Sequence, residues 1–462
     1  MRINAQLIKA STDEHLWANT FNEELTTANL FEVQADIASS IADAMHSTLN
    51  PSDLASMEDV PTDNLDAYRA FLKGQEAFGG LTRTSLRVSA ESFREAVELD
   101  PLFAEAWAAL SNSLSARYWE EGGEWDATPD VSLLNAAKQA LEQAQELDPD
   151  GLDTLIAEAY YLYYGFRDYS SALIVLGRAQ ASAPHHENVI SLRGFLLRRL
   201  GRLSEAADAL LLAYGNSLNN ANSLREIIIT LRIAGRCDEA NAFATLALEQ
   251  HPNNEGVLGV SAEVLLICNK NIPGSRSLAE RINISTMQHL EWVIQALVFA
   301  GDFQAAIKVL TFDPYGIGDN PTNRLTIANQ LTWLYREIGQ QALAETSLRT
   351  AVAAAENITE TSAIDLVELA WTEALRGNVK SCLEYGARTL ASLPNDAFLQ
   401  PVFRYKLAIA FAQAGATDAA LEQLRIMLGE PRGRQLTLLL KDPYLASLRE
   451  HPEFQALVTD DA

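Results

Sequence analysis

Two registers of helix-breaking residues run through this chain at almost fixed spacing. Gly201 in "RLGRLSEAADAL" and Gly235 in "IAGRCDEANAFA" stand 34 residues apart. Gly301, Gly339, Gly377 and Gly415 then recur every 38. Polar turns carrying proline form the other register, at Pro101, Pro149, Pro184 and Pro252, the last two separated by twice 34 residues. Glycine ends a helix because it tolerates positive φ, and proline near the next start prevents run-on. Alternating stops of this kind at a period of 34 to 38 divide the chain into pairs of helices.

The apolar residues agree with that division. Ile190, Gly194 and Leu197 follow Pro184 at helical spacing, and Ala206, Leu210 and Ala213 face them from the next helix. Leu224 and Leu231, then Ala240 and Ala247, repeat the pattern, and Trp107, Leu110, Ser111 and Leu114 begin it after Pro101. Large residues opposed by small ones let two helices approach closely. These positions resemble the tetratricopeptide repeat, whose period is also 34 residues. The resemblance implies a mainly α fold, a right-handed α-solenoid in which each hairpin covers its neighbour's apolar flank. Residues 64–430 have room for roughly nine to eleven such hairpins. Residues about 273–287 fit poorly and mark a degenerate repeat. The insertion "YWEEGGEWDATPD" is expected to loop out and leave Trp119 or Trp125 at least partly exposed.

The first residues follow another rule. Ile3, Ala5 and Leu7 alternate with Arg2, Asn4 and Gln6, and beyond a polar "STDE" Trp17, Asn19 and Phe21 alternate with Leu16, Ala18 and Thr20. Period-two alternation on both sides of a turn predicts a β-hairpin. The stretch through "FEVQADIASSIADAM" resembles the end of a TolB-like domain of bacterial multidomain signalling proteins. The likeness rests on Arg2, Ala5, Gln6, Leu7, Ile8, Ala10, Thr12, His15, Leu16, Trp17, Ala18, Phe31, Gln34 and Ile37, with departures at Lys9, Asp13 and Asn22. "NLDAYRAFLKGQEAF" resembles the first tetratricopeptide unit after that domain, and "LKDPYLASLREHPEFQALV" the family's closing segment. The organisation expected is a TolB-like remnant over 1–50, a linker over 51–63, repeats over 64–430 and a cap over 431–462. Members of the family carry an output module upstream, and the middle of this chain looks most like the branch linked to adenylate or guanylate cyclases. The resemblance thus implies a truncated TolB-like domain and a sensory or scaffold part of a larger design.

The formal charge of −26 disfavours nucleic acid and anionic membrane surfaces as partners. No apolar run reaches the roughly 18–20 residues of a membrane span. A cytoplasmic location is expected, or a periplasmic one if an upstream segment holds a span. Cys237, Cys268 and Cys382 are odd in number and scattered, which argues against a disulfide framework or a zinc site.

Chemistry-bearing patterns are sparse. His185 and His186 diverge on a turn and lack further ligands. "DPDGLD" (148–153) begins like a calcium loop but has Leu152 and Asp153 where a ligand and a glycine are needed. "DPYGIGDN" (313–320) has neither a following Lys-Ser/Thr nor a preceding strand, so it is not a phosphate cradle. Cys237 reads as a small packed residue rather than a nucleophile. The reading is therefore non-enzymatic, with no cofactor and no metal, and with protein or peptide segments as partners.

One local anomaly suggests where. From Glu187 to Arg236 seven arginines face four acids, a local +3 in an acidic chain. Arg198 and Arg232 are one 34-residue period apart, and Arg225 precedes Arg232 by two helical turns. In tetratricopeptide register Arg198, Arg225 and Arg232 point into the concave groove, where they could receive carboxylates of an acidic peptide. The alternative is that they pair with acids of neighbouring helices.

Overall fold

The structure, a computed structural model, describes residues 1–9, 11–44, 60–80, 82–122, 130–216, 220–312, 316–358, 362–433 and 438–459. It divides into one unit of Met1–Glu121 with Asp130–Gly165 and a second of Gly122–Pro129 with Phe166–Ala462. Both are mainly α.

The first unit opens with β1 (Arg2–Lys9) and β2 (Glu14–Asn22), antiparallel, with Ile3 opposite Phe21 and Leu7 opposite Trp17. The alternation holds: Ile3, Ala5, Leu7, Trp17 and Phe21 are half-buried while most of their neighbours are exposed. Helix α1 (Thr27–Ala44) packs against β2. Its Phe31 ring lies 5.3 Å from that of Tyr68 on α2 (Leu65–Phe78), so α1 joins the hairpin to the repeat core. A two-stranded ribbon is marginal alone, and that helix supplies the apolar cover. Then follow α3 (Arg83–Leu99), α4 (Ala104–Gly122), α5 (Val131–Leu147) and α6 (Leu152–Tyr160), the last running into a π-helical turn at Tyr161–Gly165. Of the expected linker over 51–63, residues 51–59 lie outside the described residues.

Of the insertion, the first residues are helical and residues 123–129 lie outside the described residues. Residues Tyr118–Gly122 extend α4 instead of looping out, and Trp119 is only 7% exposed. Its ring packs 5.6 Å from Tyr163 and 5.4 Å from Tyr164, because the π turn thickens the next helix with aromatics at that level. Trp125 lies outside the described residues. "DPDGLD" is the turn between α5 and α6.

In the second unit α7 (Tyr169–Ser182) precedes seven helical hairpins. Their first helices are α8 (Glu187–Arg199), α10 (Ala221–Ile233), α12 (Glu255–Ile267), α14 (Met287–Phe299), α16 (Pro321–Glu337), α18 (Ala363–Leu375) and α20 (Gln400–Gln413). The second helices are α9 (Leu203–Asn216), α11 (Cys237–Gln250), α13 (Ile272–Ala279), α15 (Phe303–Thr311), α17 (Gln341–Ala355), α19 (Val379–Ser392) and α21 (Thr417–Gly429). Each of the six punctuating glycines adopts φ between 71° and 79° at the turn inside a hairpin. Ile190, Leu197, Ala206, Leu210, Ala213, Leu224, Leu231, Ala240 and Ala247 are all buried. At Gly194 an added Cβ would meet Leu210 at 2.8 Å, so the glycine lets α8 and α9 touch. The degenerate repeat is α13, eight residues long and followed by non-helical chain before α14. The last segment, with 3₁₀ turns at Leu439–Lys441 and Pro443–Leu448 and α22 (Pro452–Thr459), buries Leu445, Leu448, Phe454 and Val458 among core residues such as Leu407, Phe411 and Leu424.

The cysteine expectation is corrected here. Cys237 and Cys268 form a disulfide with Cα atoms 5.5 Å apart, and neither is fully buried. Their separation of 31 residues is close to one repeat, so stacking brings the start of α11 beside the end of α12. Asn241 and Asn269 exchange side-chain hydrogen bonds of 2.8 and 2.9 Å at the same level. Cys382 is a free, buried thiol.

Candidate functional site

In the second unit α10 packs beside α12, α12 beside α14, α16 beside α18 and α18 beside α20. First helices thus neighbour first helices, which builds a shared face from residues one repeat apart. On it, Arg198 of α8 donates from Nη1 to Glu226 (2.8 Å) and to the Thr230 hydroxyl (3.1 Å), both on α10. Arg232 of α10 makes the equivalent bond to Glu263 of α12 at 3.1 Å. Positions one period apart therefore carry the same interaction, an arginine reaching a glutamate on the next first helix. Arg198 and Arg232 are 6% and 2% exposed. Arg225 differs: it donates to Glu226 at 3.0 Å, but its side chain is 30% exposed and lies over Gly256, a residue with no side chain to cover it.

Burial would raise the Glu226 carboxyl, but Arg198 and Arg225 outweigh it and hold it at about 2. The local excess of arginine is thus largely met by acids, several outside the window in which it was counted. Arg199 of α8 bonds Asp396 at 3.1 Å, and Arg236 bonds Asp208 and Glu239.

Asp396 is fully buried in the turn before α20 and also accepts from the Tyr169 hydroxyl at 2.6 Å. The Ala397 amide donates to the Arg199 carbonyl at 2.9 Å. Phe398, beside it, lies under the guanidinium groups of Arg198 (5.0 Å), Arg199 (4.8 Å) and Arg432 (3.9 Å). Burial lowers the Arg432 pKa to about 9, helped by Arg232, Arg198 and Arg199 and opposed by Glu263. The end of α8 therefore meets the start of α20 within this unit, 197 residues along the chain.

A second group was not anticipated from sequence. Lys406 of α20 reaches Glu368 of α18 at 3.2 Å and Glu291 of α14 at 3.9 Å. Asn329 of α16 donates to the Glu368 carbonyl at 3.0 Å and accepts from Thr372 at 2.9 Å. The Glu291 side chain is 47% exposed, and desolvation by the surrounding protein pushes its pKa up against the pull of Lys406. Beside them the Tyr444 ring lies tilted 4.2 Å from Trp333 on α16 and edge-on 6.0 Å from Trp371 on α18. Trp333 and Trp371 are 38 residues apart, the later glycine period, and that spacing was the available sign.

Among the described residues no group of three His, Cys, Asp or Glu side chains stands ready for a metal ion, and no described helix is long and apolar enough to cross a membrane. The arrangement offers charged and aromatic contacts rather than a paired acid and base at a reacting centre.

No family model matches the chain. Over 153 residues, 33% of its length, it is 29% identical to "Putative adenylate cyclase 3" of Rhizobium meliloti (strain 1021), and the match spans 24% of that relative. Among solved structures it is similar to a tetratricopeptide repeat protein of Parabacteroides merdae, with TM-score 0.40 and 16% identity over 56% of this chain and 98% of that one. It is also similar to TTC0263 of Thermus thermophilus, with TM-score 0.35 and 19% identity over 43% and 99% of the two chains. A third is PilW, a type IV pilus biogenesis factor, with TM-score 0.37 and 14% identity over 47% and 92%.

Proposed function

We propose that the chain is a non-enzymatic protein-interaction scaffold, the regulatory or sensory part of a bacterial signalling protein. The observation that carries this reading is the face of first helices in the second unit. It carries the partly exposed Arg225 on α10 and the exposed Glu291 on α14, with Lys406 of α20 3.9 Å from Glu291. Such a face recognises an extended or helical segment by charge and shape. Of the three arginines expected to line the groove, Arg225 is our candidate receptor for a carboxylate. Arg198 and Arg232 support it by fixing Glu226 and Glu263.

That division of roles selects the experiment. Reversing Arg198 or Arg232 would bury a carboxylate against Glu226 or Glu263 and cost about 3–5 kcal/mol, so a lost interaction would report folding. Arg225→Glu keeps Arg198–Glu226 and Arg232–Glu263 while removing the 3.0 Å bond from Arg225 to Glu226, so its circular dichroism is matched to wild type before binding is scored. On an array of acidic twelve-residue peptides, the Arg225→Glu chain should lose binding that Arg225→Lys largely keeps. Equal binding by wild type and Arg225→Glu would remove Arg225 from the groove.

A second reading, that the chain belongs to a class III adenylate or guanylate cyclase with its catalytic domain upstream of Met1, draws support from the partial likeness to a putative adenylate cyclase. It is tested by translating the DNA before Met1: an in-frame cyclase domain supports it, and an unrelated upstream gene overturns it.

A further inference from the structure

We propose that Arg432, together with Arg198 in the last turn of α8, forms a receptor for the phosphoryl group of a small anion, either free phosphate or a phosphate monoester. The site is separate from the acidic-segment reading of Arg225 and stands or falls without it.

The site is built around one ring. The guanidinium carbons of Arg198, Arg199 and Arg432 lie 5.0, 4.8 and 3.9 Å from the centre of Phe398. Such a ring holds cations over its face and fixes their positions. The arginines themselves are 6%, 4% and 8% exposed, while Phe398 is half-buried, so the cluster is enclosed but not sealed.

Counter-charges are distributed unevenly among these arginines. Arg198 and Arg225 share Glu226, Arg232 reaches Glu263, and Arg199 and Arg167 reach Asp396. Arg432 has no carboxylate at ion-pair distance among the described residues. Glu430, close to it in the chain, is taken by Arg404 at 2.8 Å. The hydrogen bond that Arg432 makes goes to the Phe398 carbonyl, which carries no full charge. Its Nε is enclosed by protein without an acceptor, and so is the Nε of Arg198.

A buried charge without a partner must either neutralise or acquire one. Arg432 does not neutralise: burial, then Arg232, Arg198 and Arg199 against Glu263, lower its pKa only to about 9, so it is a cation at neutral pH. An anion is the missing partner, and the enclosure decides its kind. Guanidiniums this little exposed admit a small group rather than a polypeptide strand. A planar carboxylate pairs with the fork of one guanidinium. A tetrahedral phosphoryl group turns its oxygens in several directions and carries a charge of about −1.5 to −2 at pH 7, so it can accept from Arg432 and Arg198 together.

The test is isothermal titration calorimetry of the full chain at neutral pH and constant ionic strength, with inorganic phosphate, O-phosphoserine and acetate as probes. Phosphate should bind saturably with a dissociation constant of about 1 mM or tighter. Arg432→Gln should weaken that binding by about tenfold or more. Binding of O-phosphoserine as well as phosphate supports a monoester as the natural ligand, and binding of phosphate without it supports the free anion. Absence of saturable phosphate binding overturns the proposal. So does acetate binding as tightly as phosphate, or an Arg432→Gln chain that binds phosphate like wild type. Should Arg432→Gln lose the wild-type circular dichroism, Arg432→Lys, which keeps the charge but not the fork, is scored for the same weakening.

Discussion

Arg198 and Arg232 make the same bond one repeat apart, and the carboxylate that Arg198 reaches ties stability to pH. Glu226 has a pKa of about 2 against 4.5 when exposed, so its contribution to stability is complete above pH 4.5. It falls away as pH drops from 4.5 towards 2. Urea unfolding should show Glu226→Gln less stable than wild type by about 3 kcal/mol at pH 7. The gap should stay constant down to about pH 5 and close below it. A gap independent of pH would mean that Glu226 acts by packing and not by charge. The periodic placement of these arginines was legible by counting along the chain. Their burial was not, because Glu263 and Asp396, which make burial tolerable, lie 31 and 197 residues from Arg232 and Arg199 respectively.

At the scale of helices and turns, glycine has two distinct tasks, which substitution separates. Gly339 has φ 73° with nothing within 4 Å of an added Cβ, so alanine there meets only backbone strain. Gly339→Ala should cost about 1 kcal/mol, and Gly339→Asn less, since asparagine tolerates that conformation. Gly259 lies within α12, where a Cβ would come 2.1 Å from the buried Trp292 ring. Gly259→Ala should cost about 2–3 kcal/mol by overpacking, with asparagine worse still. Denaturant midpoints of the four variants check both orders. The hairpin turns were readable because φ > 0 selects glycine at a constant spacing. The disulfide was missed because parity and the lack of a close Cys pair say nothing about repeat stacking, which joins residues about one period apart. Reduction should lower stability by about 4 kcal/mol, as for a closed loop of this length. Differential scanning calorimetry with and without dithiothreitol measures it, and a Cys237→Ser chain should be insensitive to the reductant. Cys382, whose thiol is pushed up to about 12 by burial and then by Glu373, should stay unalkylated until the chain unfolds.

For the molecule as a whole, regular repetition explains most of what the amino-acid pattern disclosed. A β-hairpin, a glycine-stopped array and a degenerate repeat near residue 280 all leave short-range marks, and each is present. Features built by distant segments left weak marks or none: the return of residues 396–398 to α8, and the placing of Tyr444 against α16 and α18. The burial of Trp119 left no local mark, since the π turn it packs against is more than forty residues away. Within the second unit, repetition aligns the first helices, while these long-range contacts determine which of their residues a partner can reach. Hydrogen–deuterium exchange of the full chain, with and without a saturating acidic peptide selected on the array, tests this most directly. The account predicts slower exchange in α10, α12 and α14, around Arg225 and Glu291, with α11, α13 and the β1–β2 hairpin unchanged. Protection confined to the second helices or to the hairpin would contradict it.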